Sequence, residues 1–207
     1  MLIPLIRDND LNENMDLVKT DSKNIYYPPG GILLWIIIFL ELFTFGMALV
    51  AMVVYSKDEP EVFHSSRVLL NTTFGLTNTI FLLTSGFFMA KSVESFKVNN
   101  IKKSSLYLKL TMLGGFLFLL LKSFEYYEKI EVGLSIGYNT FFSFYWMLTL
   151  FHVIHVLVGL VILSSVYVGI HKDNSNLELE DFEASAAFWH MCDLIWLLLF
   201  PVIYLIF

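Results

Sequence analysis

One cysteine, Cys192, is all that the 207 residues contain, which excludes an intrachain disulfide framework and every metal motif built on paired cysteines. Charge is missing over long stretches too. Val68 to Ala90 and Val132 to Ile170 hold no Asp, Glu, Lys or Arg, while Gly31 to Ser56 holds only Glu41 and Ala184 to Phe207 only Asp193. Alternation with a period of two is absent, so no row of short strands is available to close into a membrane barrel. A basic stripe interleaved with aromatics is also lacking, which removes nucleic acid from the candidate partners. The apolar patch Met1 to Ile6 is too short for a signal-peptide core and runs directly into Arg7, Asp8 and Asp10, so no cleavable targeting segment is expected. Inverted repeats and paired broken helices, the marks of a transporter, are not found.

What remains is strongly apolar: 57% of the side chains are hydrophobic and the mean hydropathy is +0.67. A helix needs roughly 20 apolar residues to cross a hydrocarbon core of about 30 Å, and the uncharged runs supply them. The expected fold class is all-α, an integral membrane bundle of five transmembrane helices at about 31–56, 68–91, 104–127, 138–170 and 184–207. Residues 1–30 are expected to form a polar tail, broken from the first span by Pro28, Pro29, Gly30 and Gly31. The third span is the weakest, since only Leu110 to Leu121 is free of charge, and Lys109 and Lys122 are expected to extend it by snorkelling. A loop of about ten residues, Asp173 to Phe182, makes the last two spans antiparallel neighbours. The net charge of −6 comes mostly from acids in the tail and loops. Arg7, Lys19, Lys23, Lys91, Lys97, Lys102, Lys103, Lys109 and Lys172 fall on one side of the membrane, against Lys57, Arg67, Lys122 and Lys129 on the other. The positive-inside rule then puts the N-terminus in the cytoplasm and Phe207 near the outer face.

The polar exceptions inside the spans carry the functional information. Glu41 lies about 15 Å beyond Gly31 at 1.5 Å per residue, near the midplane. A carboxyl there must be protonated or paired, so it faces the bundle interior or another subunit. It serves either as a structural hydrogen-bonding group or as a functional or interface carboxyl. His152 and His155, three apart in the fourth span, project from one face about 60° apart. Their depth matches that of Glu41, so spans one and four are expected to face each other. His190 and Asp193 repeat the spacing in the fifth span. The His pair, with His190 and either Glu41 or Asp193, could ligate a metal; interhelical hydrogen bonding is the other use. Lys122, Glu125 and Lys129 bracket the outer end of the third span and are expected to neutralise one another in part. The string Glu61-Val-Phe-His64 is expected in a loop, and the sequon Asn71-Thr-Thr inside a span, where no glycan could be added.

Five segments, in order, resemble a known family. They are Phe39-Leu-Glu-Leu-Phe-Thr-Phe-Gly46, Leu76-Thr-Asn-Thr-Ile-Phe-Leu-Leu-Thr-Ser-Gly86, Leu120-Leu-Lys-Ser-Phe-Glu-Tyr-Tyr127, Thr149-Leu-Phe-His-Val-Ile-His-Val-Leu-Val-Gly159 and Trp189-His-Met-Cys-Asp-Leu-Ile-Trp196. Together they resemble subunit III of the haem–copper oxidases in its short five-helix form, over Gly31 to Phe207. Leu150 stands where that family usually has Gly, Leu40 where Ser precedes the Glu, and Lys122 at a usually neutral position. The stretches Glu41 to Gly46 and Leu199 to Phe207 are similar to the branch found beside bacterial nitric oxide reductases.

The resemblance implies a non-catalytic subunit without haem, copper or other cofactor, which demotes the metal reading of the histidines. It implies a partner, the catalytic subunit I of a respiratory terminal oxidase, with phospholipids held by the bundle and support for complex stability and proton uptake in aerobic electron transport. An accessory or assembly protein of nitric oxide reductase is the alternative. Glu41, Glu125, His152, His155, His190 and Asp193 are the expected buried polar, lipid- or proton-related residues. The expected location is the bacterial inner membrane, crossed several times.

Overall fold

The computed structural model describes residues 30–172 and 178–207; the tail and most of the loop between the last two spans lie outside them. Six helices make up the described chain: α1 (Gly31–Asp58), α2 (Pro60–Val68), α3 (Thr72–Lys97), α4 (Ile101–Glu131), α5 (Thr140–His171) and α6 (Leu179–Tyr204). All but α2 are long and apolar enough to cross a membrane, so the all-α, five-span fold is the one the uncharged runs predict. The ends differ from expectation. The second span starts later, at Thr72, because Val68 ends a separate short helix; it continues to Lys97, the third extends to Glu131 and the fifth begins at Leu179, where helices run on beyond the apolar core into polar surroundings.

Local chemistry sets the starts and turns. Asn71, Asn100 and Asn139 each cap a helix, their side-chain oxygens accepting from Thr73 N–H, Lys103 N–H and Phe142 N–H, which satisfies amide donors that the first turn leaves open. Asn71 therefore sits at the threshold of α3, not within a span. Gly30 and Gly31 both hold φ of 79°, a region in which a side chain is strained. Asn99 takes φ of 57° and makes the tight turn that folds α4 back along α3.

The Glu61-to-His64 string belongs to helix α2, not to a loop. Pro60 occupies its first turn, where a missing N–H costs nothing. Phe63 buries itself edge-on against Phe141 and Phe207, with centroids 5.5 and 5.1 Å away, so a polar-looking connector is pinned by one aromatic side chain.

The most extensive helix pairing joins α3 to α4. Small residues let the two backbones close in: Ser85 Oγ donates to Thr111 O (2.8 Å) and Ser92 Oγ to Ser104 O (2.7 Å). The last helix is the central one. α6 packs on α1, α3 and α5, and 56% of its apolar window is buried against 22% for α1. Trp189 sits in a notch where α4 and α5 each offer a glycine; a Cβ on Gly115 would stand 2.5 Å from Trp189 Cη2, and one on Gly159 2.9 Å from its Cε3.

Candidate functional site

The singled-out residues fall into three places rather than one. The first joins α1 to α5 at mid-depth, as the matched depths predict: Glu41 Oε2 lies 3.3 Å from His155 Nε2. His155 Nδ1 stands 2.8 Å from the carbonyl oxygen of Phe151. A carbonyl only accepts, so Nδ1 carries a proton and the neutral ring turns the lone pair of Nε2 toward Glu41. A carboxylate facing that lone pair would be repelled, so the contact is attractive only when one proton sits on either the carboxyl or Nε2. The two atoms are close but not aligned for a hydrogen bond, and Glu41 Oε2 has no hydrogen-bond partner among the described residues. Phe45, stacked on Phe151 at 5.0 Å and edge-on to His155 at 5.6 Å, packs beside the pair.

His152 does not join them. Fully buried, its ring lies between Phe118 (5.4 Å, perpendicular) and Trp196 (5.3 Å), and neither ring nitrogen has a hydrogen-bond partner among the described residues.

The second place is the C-terminal half of the third span, and here the snorkelling expectation for Lys122 is corrected. Lys122 is completely buried, as is Glu125. Lys122 Nζ donates to Glu125 Oε2 (3.0 Å), to Tyr204 OH (2.9 Å) and to Tyr145 OH (3.3 Å). Both phenols then donate to Glu125 Oε1. The ammonium also lies 4.9 to 5.5 Å from the ring centroids of Tyr126, Tyr145, Trp196 and Tyr204, close enough for cation–π attraction. Lys122 turns inward because lipid offers it nothing, whereas the bundle offers a counter-charge, two acceptors and four ring faces. The expected neutralisation of Lys122 by Glu125 is present, but Lys129 goes elsewhere, its Nζ donating to Leu69 O at 2.7 Å. Arg67 Nε donates to Tyr204 O (3.1 Å), so the same tyrosine ties the connector to α6. Tyr145 and Tyr204 were not legible as site residues; their only signal is a hydroxyl inside an otherwise apolar run.

The third place is on α6 facing α3. His190 Nδ1 and Asp193 Oδ2 are 3.6 Å apart, with side chains 43% and 8% exposed. Gly86 makes room for this carboxyl: a Cβ there would collide with Asp193 Oδ2. Asp193 Oδ1 is buried without a hydrogen-bond partner among the described residues. His190 thus looks toward α3, away from the α5 histidines, and among the described residues no three His, Cys, Asp or Glu side chains converge as a metal would require. Cys192 is buried and unpaired.

Comparison with known proteins agrees with the ordered motifs. The family model described as cytochrome c oxidase subunit III matches residues 30–206. The chain is 27% identical to a cytochrome bo(3) ubiquinol oxidase subunit 3 of Buchnera aphidicola over 83% of its own length and 84% of that protein. It is 29% identical to cytochrome c oxidase subunit 3 of Synechocystis over 85% of this chain and 74% of the other. Against cytochrome c oxidase subunit 3 of Drosophila melanogaster identity rises to 37%, over 62% of this chain and 48% of that one.

Proposed function

The chain belongs to the cytochrome c oxidase subunit III family and is a multi-pass membrane subunit of a haem–copper oxidase; from that premise we propose that it serves beside the catalytic subunit I without performing the chemistry. Its work in this reading is to hold the complex together, to hold phospholipid and to support proton uptake during aerobic respiration. The bacterial inner membrane is the location, with the N-terminus in the cytoplasm and the C-terminus outside.

The observation that carries the reading is the Glu41–His155 pair. The carboxyl and the imidazole stand 3.3 Å apart in the middle of two spans, close enough to exchange a proton after a small side-chain movement, and Glu41 remains 22% exposed. A group so placed holds a proton and can pass it to a neighbour. The fully satisfied Lys122–Glu125–Tyr145–Tyr204 cluster supports the other half of the reading, since it clamps α4, α5 and α6 together with no atom left to serve a substrate.

The test is to purify the chain from its native membrane in mild detergent, recording haem spectrum, copper content and stoichiometry. A haem–copper catalytic subunit at equal stoichiometry is the expected result. A nitric oxide reductase catalytic subunit in its place, or no haem protein, overturns it. Within the complex, Glu41→Gln keeps the shape and removes the exchangeable carboxyl proton. It is expected to leave assembly intact and slow proton uptake several-fold in a pH-indicator assay during turnover; unchanged uptake would remove Glu41 from the proton role.

A further inference from the structure

One face of the bundle leaves polar atoms where lipid would stand. Between α3 and α6 runs an open groove in two stretches, about 400 and 330 Å³, that meet at Ala90 and His190. The ion pair of Lys97 Nζ with Glu183 Oε1 (2.6 Å) closes one end. Farther along, the floor is made of small residues, Gly86, Ala90, Ala186 and Ala187, the kind of surface that lets another helix backbone approach closely.

Asp193 lines the deeper stretch. Its side chain is more than nine-tenths buried; Oδ1 is enclosed without a donor among the described residues, while Oδ2, against Gly86, meets only His190 Nδ1 at 3.6 Å, and His190 is 43% exposed. At 1.5 Å per residue Asp193 lies about 21 Å beyond Leu179 along α6. That is below the headgroups, where a phospholipid presents only acyl chain. An acceptor oxygen and an exposed imidazole against hydrocarbon are costly, and a methylene relieves neither. What fits is a second helix bringing its own donor.

We propose that this groove docks a transmembrane helix of the catalytic subunit, which sets its backbone against Gly86 and Ala90 and points a hydrogen-bond-donating side chain at Asp193 Oδ2, beside the exposed His190. The partner's identity rests on the function proposed above; the unfilled acceptor does not. Gly86 has a role on both sides of the contact, since its missing side chain seats the Asp193 carboxyl and flattens the floor.

The experiment uses the complex in its native membrane. A photo-crosslinking amino acid is placed at Ala90 and, as a control, at Val161, which is 70% exposed on α5. The expected result is a crosslink from position 90 to the haem-bearing subunit and none from position 161. Ala90→Trp, which fills the groove from an exposed position, is expected to lower co-purified haem by roughly tenfold while leaving the chain's own yield and thermal unfolding unchanged. Asp193→Asn, which keeps an acceptor, is expected to retain more partner than Asp193→Leu. Full haem recovery with Ala90→Trp, or a crosslink from position 161 alone, overturns the docking surface while the proposed function stands. A wild-type preparation free of haem protein overturns both together.

Discussion

Lys122 sits where an isolated ammonium is least tolerable, and the bundle surrounds it with every kind of partner a cation can use. Removing one member of a buried pair costs about 3–5 kcal/mol when the other charge is stranded. Glu125→Leu is therefore expected to destabilise the bundle by about that much, since it leaves the ammonium with phenol oxygens alone. Lys122→Met should cost less, because the two phenols still donate to the carboxylate. Denaturant unfolding in detergent measures both, and equal losses would mean that the tyrosines contribute little. His152 makes the opposite case. A buried polar group without a partner costs about 1–3 kcal/mol, so His152→Phe, set among Phe45, Phe118 and Trp196, should be neutral or stabilising in the same assay. A large loss would show that a ring nitrogen has a partner after all. At this scale the sequence was legible where two groups shared a depth: Glu41 and His155 could be matched by counting from the helix ends, whereas His152, at the same depth, turns into an aromatic pocket instead. The Lys122 cluster was not, because a lysine three residues from a glutamate looks the same whether that helix face meets lipid or two tyrosines from other helices.

Between elements, close approach depends on what is missing. The Trp189 indole occupies space that Gly115 and Gly159 leave open, and its Nε1 donates to Ser85 Oγ at 3.0 Å. Any side chain at Gly115 drives into the ring system of a residue with no room to move, so Gly115→Leu should cost about 1–3 kcal/mol by overpacking, read as a lowered unfolding midpoint. Retained stability would mean that α4 can shift away from α6. The five spans were readable because their uncharged runs exceed a membrane's thickness. Helix α2 was hidden because Glu61, His64 and Arg67 make it look like solvated loop, and only the packing of Phe63 reveals it as structure. The central position of α6 was also invisible, since order along the chain says nothing about which helix the others surround.

For the whole molecule, the proposed orientation can be checked directly. Cys192 is buried, so a new cysteine in a connection reports alone. Asn99→Cys, at the α3–α4 turn, is expected to resist a membrane-impermeant maleimide in intact cells, whereas Ser135→Cys, between α4 and α5, should react. The reverse pattern would invert the topology drawn from the lysine distribution.

That α6 is central yet follows the other four described spans has a consequence for how the protein is made. Trp189 and Trp196 reach partners 104 and 117 residues earlier in the chain, and Tyr204 closes on Glu125. When the ribosome reaches α6, the four described spans before it already stand in the bilayer, with Ser85, Thr79 and Glu125 each still short of the partner that α6 brings. The α3–α4 pair can form first, but the core of the bundle closes only when α6 emerges. A chain stopped before Leu179 loses its middle rather than its end, and membrane quality control meets it as an incompletely packed set of helices.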